Sequence, residues 1–157
     1  MTKRKTFFIA VCFAAGAAHG WWDHPCITRA ARELGFSGRI VSAAETNGVY
    51  DVIYEYVTGS NGLVRCELAL PPAAKWKGWF KGVGNVGAAG GLNKGWVLGP
   101  AEGGVAAAMT DMGSSNGRCS RNPVAIRDFG HRATHLMTVG ANDCGREAAR
   151  GHGRRAL

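Results

Sequence analysis

At 157 residues, with 46% hydrophobic residues and a formal charge of +8, the chain is long enough for one modest domain. The charge is no nucleic-acid footprint: Lys3, Arg4 and Lys5 account for three of the eight, and the four Arg of residues 140–157, set against Asp143 and Glu147, for two more. That leaves +3 on residues 21–139, an ordinary surface.

Residues 1–20 have the three parts of a secretory signal peptide. A basic start (Lys3, Arg4, Lys5) precedes the apolar run FFIAVCFAAGAA, which is too short to span a bilayer, and Ala18-His19-Gly20 puts small residues at the −3 and −1 positions of a cleavage site. Cleavage before Trp21 is expected, with a secreted or periplasmic mature chain and no membrane association afterwards. Cys12 leaves with that segment. Cys26, Cys66, Cys119 and Cys144 remain, an even number for an oxidising compartment, and three pairings are open to them. No two have CxxC spacing, so disulfides are expected and a zinc site is not.

CITRAARELGF is a short helix candidate closed by Gly35. GRIVSAAET and VYDVIYEYVT follow, joined by Asn47-Gly48. The second alternates Val49, Asp51, Ile53, Glu55, Val57 against Tyr50, Val52, Tyr54, Tyr56, which predicts a strand, and Asn-Gly predicts a tight hairpin turn. TGSNG is a second turn, and LVRCELALP alternates again up to Pro71-Pro72. WKGWFKGV reads as a strand running into a glycine loop. Residues 84–104 are loop-rich, and GVAAAMTD predicts a short apolar strand, buried on both faces if it lies in a parallel sheet. Asn122-Pro123 is an N-cap followed by proline at the first helical position. Ile126, Phe129, Ala133, Leu136, Met137 and Gly140 then share one helical face, with Asp128, His131 and His135 on the other. Gly130 within it costs about 1 kcal/mol relative to alanine. After Val139 the apolar pattern stops, so residues 140–157 are expected to be an aberrant or disordered Gly/Arg-rich tail. The order of strands, glycine loop, strand and helix predicts an α/β sheet preceded by hairpins.

Several motifs compete for a chemical role. Gly82-x-Gly84-x-x-Gly87 has dinucleotide-loop spacing, but that chemistry needs a helix opening at the third glycine, and AAGGLNKGWVLGP is poor material for a long one. Gly113-Ser114-Ser115-Asn116-Gly117 fits G-x-S-x-G, with Asp128, His131, His135 and His152 downstream. A nucleophile elbow passes straight from serine into helix, whereas five residues from Arg118 to Asn122 intervene before Pro123, so the stretch reads as a solvated turn. His131 and His135 are four apart, yet Arg132 stands where HExxH has glutamate, and two histidines are too few for a closed metal site. Asp128-Phe129-Gly130 lies inside a helix pattern and has no kinase context. No metal or cofactor is expected.

CELALPPAAKWKGWFKGVGNVGAAGG, GGVAAAMTDMGSS and DFGHRATHLMT resemble, in order, the N-terminal part of the secreted tannase and feruloyl esterase family. That family has a strand leading to a GNGG-type loop, a strand ending in TD-x-G, and a helix carrying DFG-aromatic-RA-x-H-x-x-T. The resemblance covers roughly residues 63–139 and implies the N-terminal part of an α/β-hydrolase fold, incomplete here, over residues 21–139. It implies hydrolysis of aromatic-acid esters such as gallates or ferulates, with Gly84, Asn85, Val86 and Gly87 as the oxyanion-hole loop, where glycines let backbone N–H groups approach the substrate. It also implies a Cys26–Cys66 disulfide, leaving Cys119 and Cys144.

Two departures stand out: Val86 replaces the loop's second consecutive glycine, and Ser114 stands where many relatives have histidine. The family's next strand and its GCSxGGR-type elbow are not found. Aligned on GHGRRAL, the elbow serine falls on Arg150. The expectation is therefore a piece without nucleophile or triad, inactive alone; the alternative is a non-catalytic secreted binding or structural domain on the same scaffold. An aromatic ester would be the small-molecule partner only of a completed enzyme.

Overall fold

The computed structural model describes residues 25–85, 90–114 and 122–153. The expected signal peptide lies outside them. The elements are Pro25–Glu33 (α1), Ser37–Thr46 (β1), Val49–Gly59 (β2), Gly62–Leu70 (β3), Phe80–Val83 (β4), Lys94–Glu102 (α2), Ala106–Thr110 (β5), Pro123–Arg127 (α3) and Ala133–Gly153 (α4). The strands form one mixed five-stranded sheet in the order β1-β2-β3-β5-β4. β4 and β5 are parallel and every other pairing is antiparallel, so the chain is of the α/β class. A parallel pair needs a crossover, and α2 supplies it.

The alternation in the strands sets the layers. Val52, Tyr54, Tyr56, Val64, Cys66, Leu68 and Leu70 face α1 and α4, while Val49, Ala69, Ala107 and Met109 face Val97 and Ala101 of α2. At the first hairpin, Asn47 (φ 53°) and Gly48 (φ 78°) are both left-handed, as a two-residue type I′ turn requires. Glu55, 1% exposed, is bonded by Arg39 at 2.7 Å and by Arg65 at 2.5 Å, a cross-strand ion triad that follows the β1-β2-β3 register. Burial alone would raise the Glu55 pKa, but the bonds from Arg65 and Arg39 outweigh it and hold it below the ordinary carboxylate range.

The structure departs from the sequence reading in four places. β4 is confined to Phe80–Val83, because Gly78 (φ 76°) turns the chain just before it. A helix of nine residues, α2, forms where only loop was expected. Its Pro100 sits in the last turn, and burial of Val97 and Ala101 against β3 and β5 overrides the poor local propensity.

The third departure is helical phase. The Asn122 side chain caps α3, accepting from the Val124 N–H at 3.0 Å, as expected. Between α3 and α4, however, Asp128–Arg132 forms a π turn. The wider turn rotates the buried stripe, which runs Ala125, Asp128, Ala133, Leu136, Met137, Gly140, Ala141. Asp128 is therefore fully buried rather than on the polar face, and Ile126, expected in the core, is 54% exposed. The stripe also continues past Val139 to Cys144, and the helix runs to Gly153, so residues 140–153 are helical rather than a disordered tail.

The fourth concerns cysteines. Cys66 is free and buried among Tyr54, Leu68 and Leu136, and burial pushes its thiol up to about 12. The expected Cys26–Cys66 disulfide is therefore corrected: β3 aims Cys66 into the layer beneath α4. Cys144 is buried and disulfide-bonded; Cys119 and the Cys26 side chain lie outside the described residues. Because α1, which contains Cys26, packs on α4, non-reducing peptide mapping is expected to recover Cys26 joined to Cys144, with Cys66 alkylated only after unfolding. Reduction should cost about 2–5 kcal/mol. A Cys66-containing disulfide in the digest would overturn this.

Candidate functional site

In an α/β sheet the carboxyl ends of parallel strands are where ligands bind, since loops diverge there and leave a crevice. Here those are the ends of β4 and β5. Gly84 and Asn85 leave β4, and the Asn85 side-chain amide donates to the Thr110 carbonyl at the end of β5. The loop comes back at Gly90, whose left-handed backbone (φ 52°) lies so near β5's exit that a Cβ there would fall 2.5 Å from the Asp111 carbonyl oxygen and 2.9 Å from the Ser114 hydroxyl. Its far end is fixed by the Asn93 N–H, 3.0 Å from the Met109 sulfur.

The exit from β5 is a rigid turn organised by Asp111. One carboxylate oxygen, Oδ1, accepts from the Arg65 N–H at 2.9 Å and the Gly113 N–H at 2.8 Å. Burial raises the Asp111 pKa, partly offset by these two backbone bonds. Thr110 donates its hydroxyl to the Arg65 carbonyl and accepts from the Met112 N–H, both at 3.2 Å. Met112 (φ 60°) and Gly113 (φ 67°) are left-handed, so the chain folds sharply back. Thr134, in the first turn of α4, lies 3.6 Å from the Met112 sulfur, which brings that helix to the same end of the sheet.

Of the sequence-predicted loop residues, Gly84 and Asn85 stand at the end of β4; Val86 and Gly87 lie outside the described residues. So does Ser115. Ser114 and Cys66 are fully buried, so neither is presented to solvent as a nucleophile. His131 in the π turn and His135 on α4 are exposed, while Asp128 turns inward. No group of three or more His, Cys, Asp or Glu able to hold a metal is present among the described residues. Among the described residues, 90–93 are not helical and the next helix starts at Lys94, which does not match the helix opening that a dinucleotide loop needs. Among the described residues no helix is long and apolar enough to cross a membrane.

Asp111, Thr110 and Gly90 were not singled out for these contacts. The pattern D-x-G after a strand was a usable signal, because aspartate bonding a backbone N–H two residues on is how such turns close. Gly90's role depends on a contact between loop and strand and had no local signature.

No protein-family model matches the chain, and no curated protein matches its sequence. Among solved structures, it is similar to a tannin acyl hydrolase from Aspergillus niger (TM-score 0.57, 14% identity), with 82% of this chain and 29% of that one covered. It is also similar to an esterase from Aspergillus oryzae (TM-score 0.52, 18% identity), covering 68% and 28%. At these identities the likeness concerns the fold, a tannase- and esterase-like α/β arrangement. The chain spans less than a third of either neighbour's length.

Proposed function

We propose that the chain is the oxyanion-loop portion of an exported carboxylic ester hydrolase of the tannase and feruloyl esterase type, acting on aromatic-acid esters. The observation that carries this reading is the clamp between Asn85 and the Thr110 carbonyl, which pins the chain leaving β4 to the carboxyl end of β5. Such a loop offers backbone N–H groups to the oxygen that gains charge as an ester is attacked, and one donor of this kind is worth about 2.7–4 kcal/mol. The three sequence motifs and the two structural neighbours support the same reading.

Charge stabilisation acts only when an attacking group and a base stand beside it. Ser114 and Cys66 are buried, whereas His131 and His135 are exposed. The chain by itself is therefore expected not to turn over methyl ferulate, methyl gallate or nitrophenyl esters. Assaying it beside Ser115→Ala tests this. Turnover lost in the variant would make Ser115 the nucleophile and overturn the reading of Gly113–Gly117 as a turn. The burial of Ser114 and Cys66 also favours a second reading, a non-catalytic binding domain on the same scaffold. Saturable binding of an aromatic ester without turnover would support it.

A further inference from the structure

Beneath α2 lies a charge arrangement that the esterase reading does not use. Asp51 on β2 and Glu67 on β3 are diagonal cross-strand neighbours, since Asp51 pairs with Ala69 and Ile53 with Glu67. Both are buried, at 9% and 2% exposure. They lie on the same face of the sheet, beneath α2, and water is largely excluded from both. Asp51 Oδ1 and Glu67 Oε1 have no partner. The facing cation is Lys94, the first residue of α2, whose Nζ lies 2.8 Å from Asp51 Oδ2. The other charged groups on the surrounding elements are Glu102 on α2, Lys81 on β4, and Arg39 and Glu45 on β1; Glu55 and Arg65 are occupied in their own ion triad. β5 carries none between Ala106 and Thr110.

We propose that Glu67 holds a proton beside the Asp51–Lys94 pair, and that this proton is a pH-operated latch holding the N-terminal end of α2 against the sheet. With the proton present, a single buried negative charge is matched by Lys94. Without it, two neighbouring buried carboxylates face one largely exposed ammonium, and the closed arrangement loses its advantage over one in which α2 has lifted. Because Leu92 and Asn93 join α2 to the Gly84–Gly90 loop, the latch also governs one end of that loop. The inference rests on the carboxyl pair and holds whether or not the esterase reading does.

Burial, then the neighbouring Asp51 charge, raise the Glu67 pKa from 4.5 to about 7, with Lys94 opposing. A carboxyl raised in this way favours the closed state fully below about 4.5, and the advantage is lost as pH rises to about 7, beyond which no further change follows. Hydrogen exchange of the full chain, corrected for intrinsic rates, is expected to quicken in residues 94–102 by about tenfold or more between pH 5 and 7.5, and to level off above that. Residues 133–144 of α4 should hold constant. In Glu67→Gln the α2 response should vanish. In Lys94→Met, a surface change that keeps the fold, the levelling-off point should move to higher pH, because the cation that favours ionisation is gone. A flat α2 profile in the unmodified chain, an equal rise in α4, or an unmoved levelling-off point in Lys94→Met would each overturn the latch.

Discussion

Replacing Asp128 with alanine is expected to remove about 3–5 kcal/mol of stability, much of what a domain of this size possesses. The Asp128 side chain is fully buried. It accepts the Thr58 hydroxyl at 2.6 Å and pairs with Arg132, itself only 14% exposed. Two turns close over it. A Cβ at Gly113 would fall 2.8 Å from the Asp128 Cβ, and one at Gly62 would fall 3.3 Å from its carboxylate. The residue thus ties the end of β2, the β2–β3 turn, the exit from β5 and the π turn at a single point. Alanine would leave the Arg132 guanidinium without its counter-charge and the Thr58 hydroxyl without an acceptor. Urea denaturation of Asp128→Ala, with Asp128→Asn as the volume-conserving control, checks this. Asparagine keeps an acceptor for Thr58 and should lose less. An alanine variant within about 1 kcal/mol of the unmodified chain would show that Arg132 finds water or another acceptor, such as the Val124 carbonyl 3.5 Å away.

That role was hidden for a reason that a helical wheel cannot correct. The wheel advances a constant angle per residue, and it places Asp128 with His131 and His135. A single π turn rotates everything before it relative to everything after it, so Ile126 leaves the core and Asp128 enters. Nothing local in DFGHR forces this; the anchor at Thr58, seventy positions away in sequence, favours it. The β2–β3 ribbon was legible, by contrast, because its signals are local: period-two alternation, Asn47-Gly48 at one end and Ser60-Asn61-Gly62 at the other. β5 was legible as a doubly buried strand for the same reason. α2 was not, because Gly95, Gly99 and Pro100 argue against helix and only the apolar bed of Ala69, Ala107 and Met109 argues for it.

The candidate site divides the same way. The position of Gly84 and Asn85 just after a strand was legible, because a glycine stretch following a strand is itself a signal. The Asn85–Thr110 clamp and the carboxylate of Asp111 were not, since each joins residues brought together only when β4 and β5 pair. The Asp51–Glu67 pair was masked by its own alternation. Asp51 and Glu55 share a β2 face with Val49, Ile53 and Val57, a mixed pattern with no local sign of burial; α2 covers one acid and the Arg39–Glu55–Arg65 triad neutralises the other.

Gly90→Ala should have the largest effect on the site itself. Gly90 adopts φ 52°, a region that costs a residue with a Cβ about 1–2 kcal/mol. The new methyl would also fall 2.5 Å from the Asp111 carbonyl oxygen and 2.9 Å from the Ser114 carbonyl carbon. Those are backbone atoms, held by the Asp111 bonds to Arg65 and Gly113, so they cannot step aside as a flexible side chain would. Overpacking of this kind adds about 1–3 kcal/mol, so a total on the order of 3 kcal/mol is expected. The alternative to unfolding is that the loop lifts from the end of β5, which would break the Asn85–Thr110 contact. Gly91→Ala is the matched control: nothing lies within 4 Å of its Cβ and its φ is not left-handed, so it should change stability by less than about 0.5 kcal/mol. Denaturation of both variants, with amide resonances of Asn85 and Asp111–Ser114 followed by NMR, separates the two routes. A stability loss with unmoved resonances means strain borne in place. Shifted resonances with little loss mean a lifted loop. Equal, small effects of the two alanines on both measures would mean that Gly90 does not seat the loop on β5, and the oxyanion reading would lose the contact on which its geometry depends.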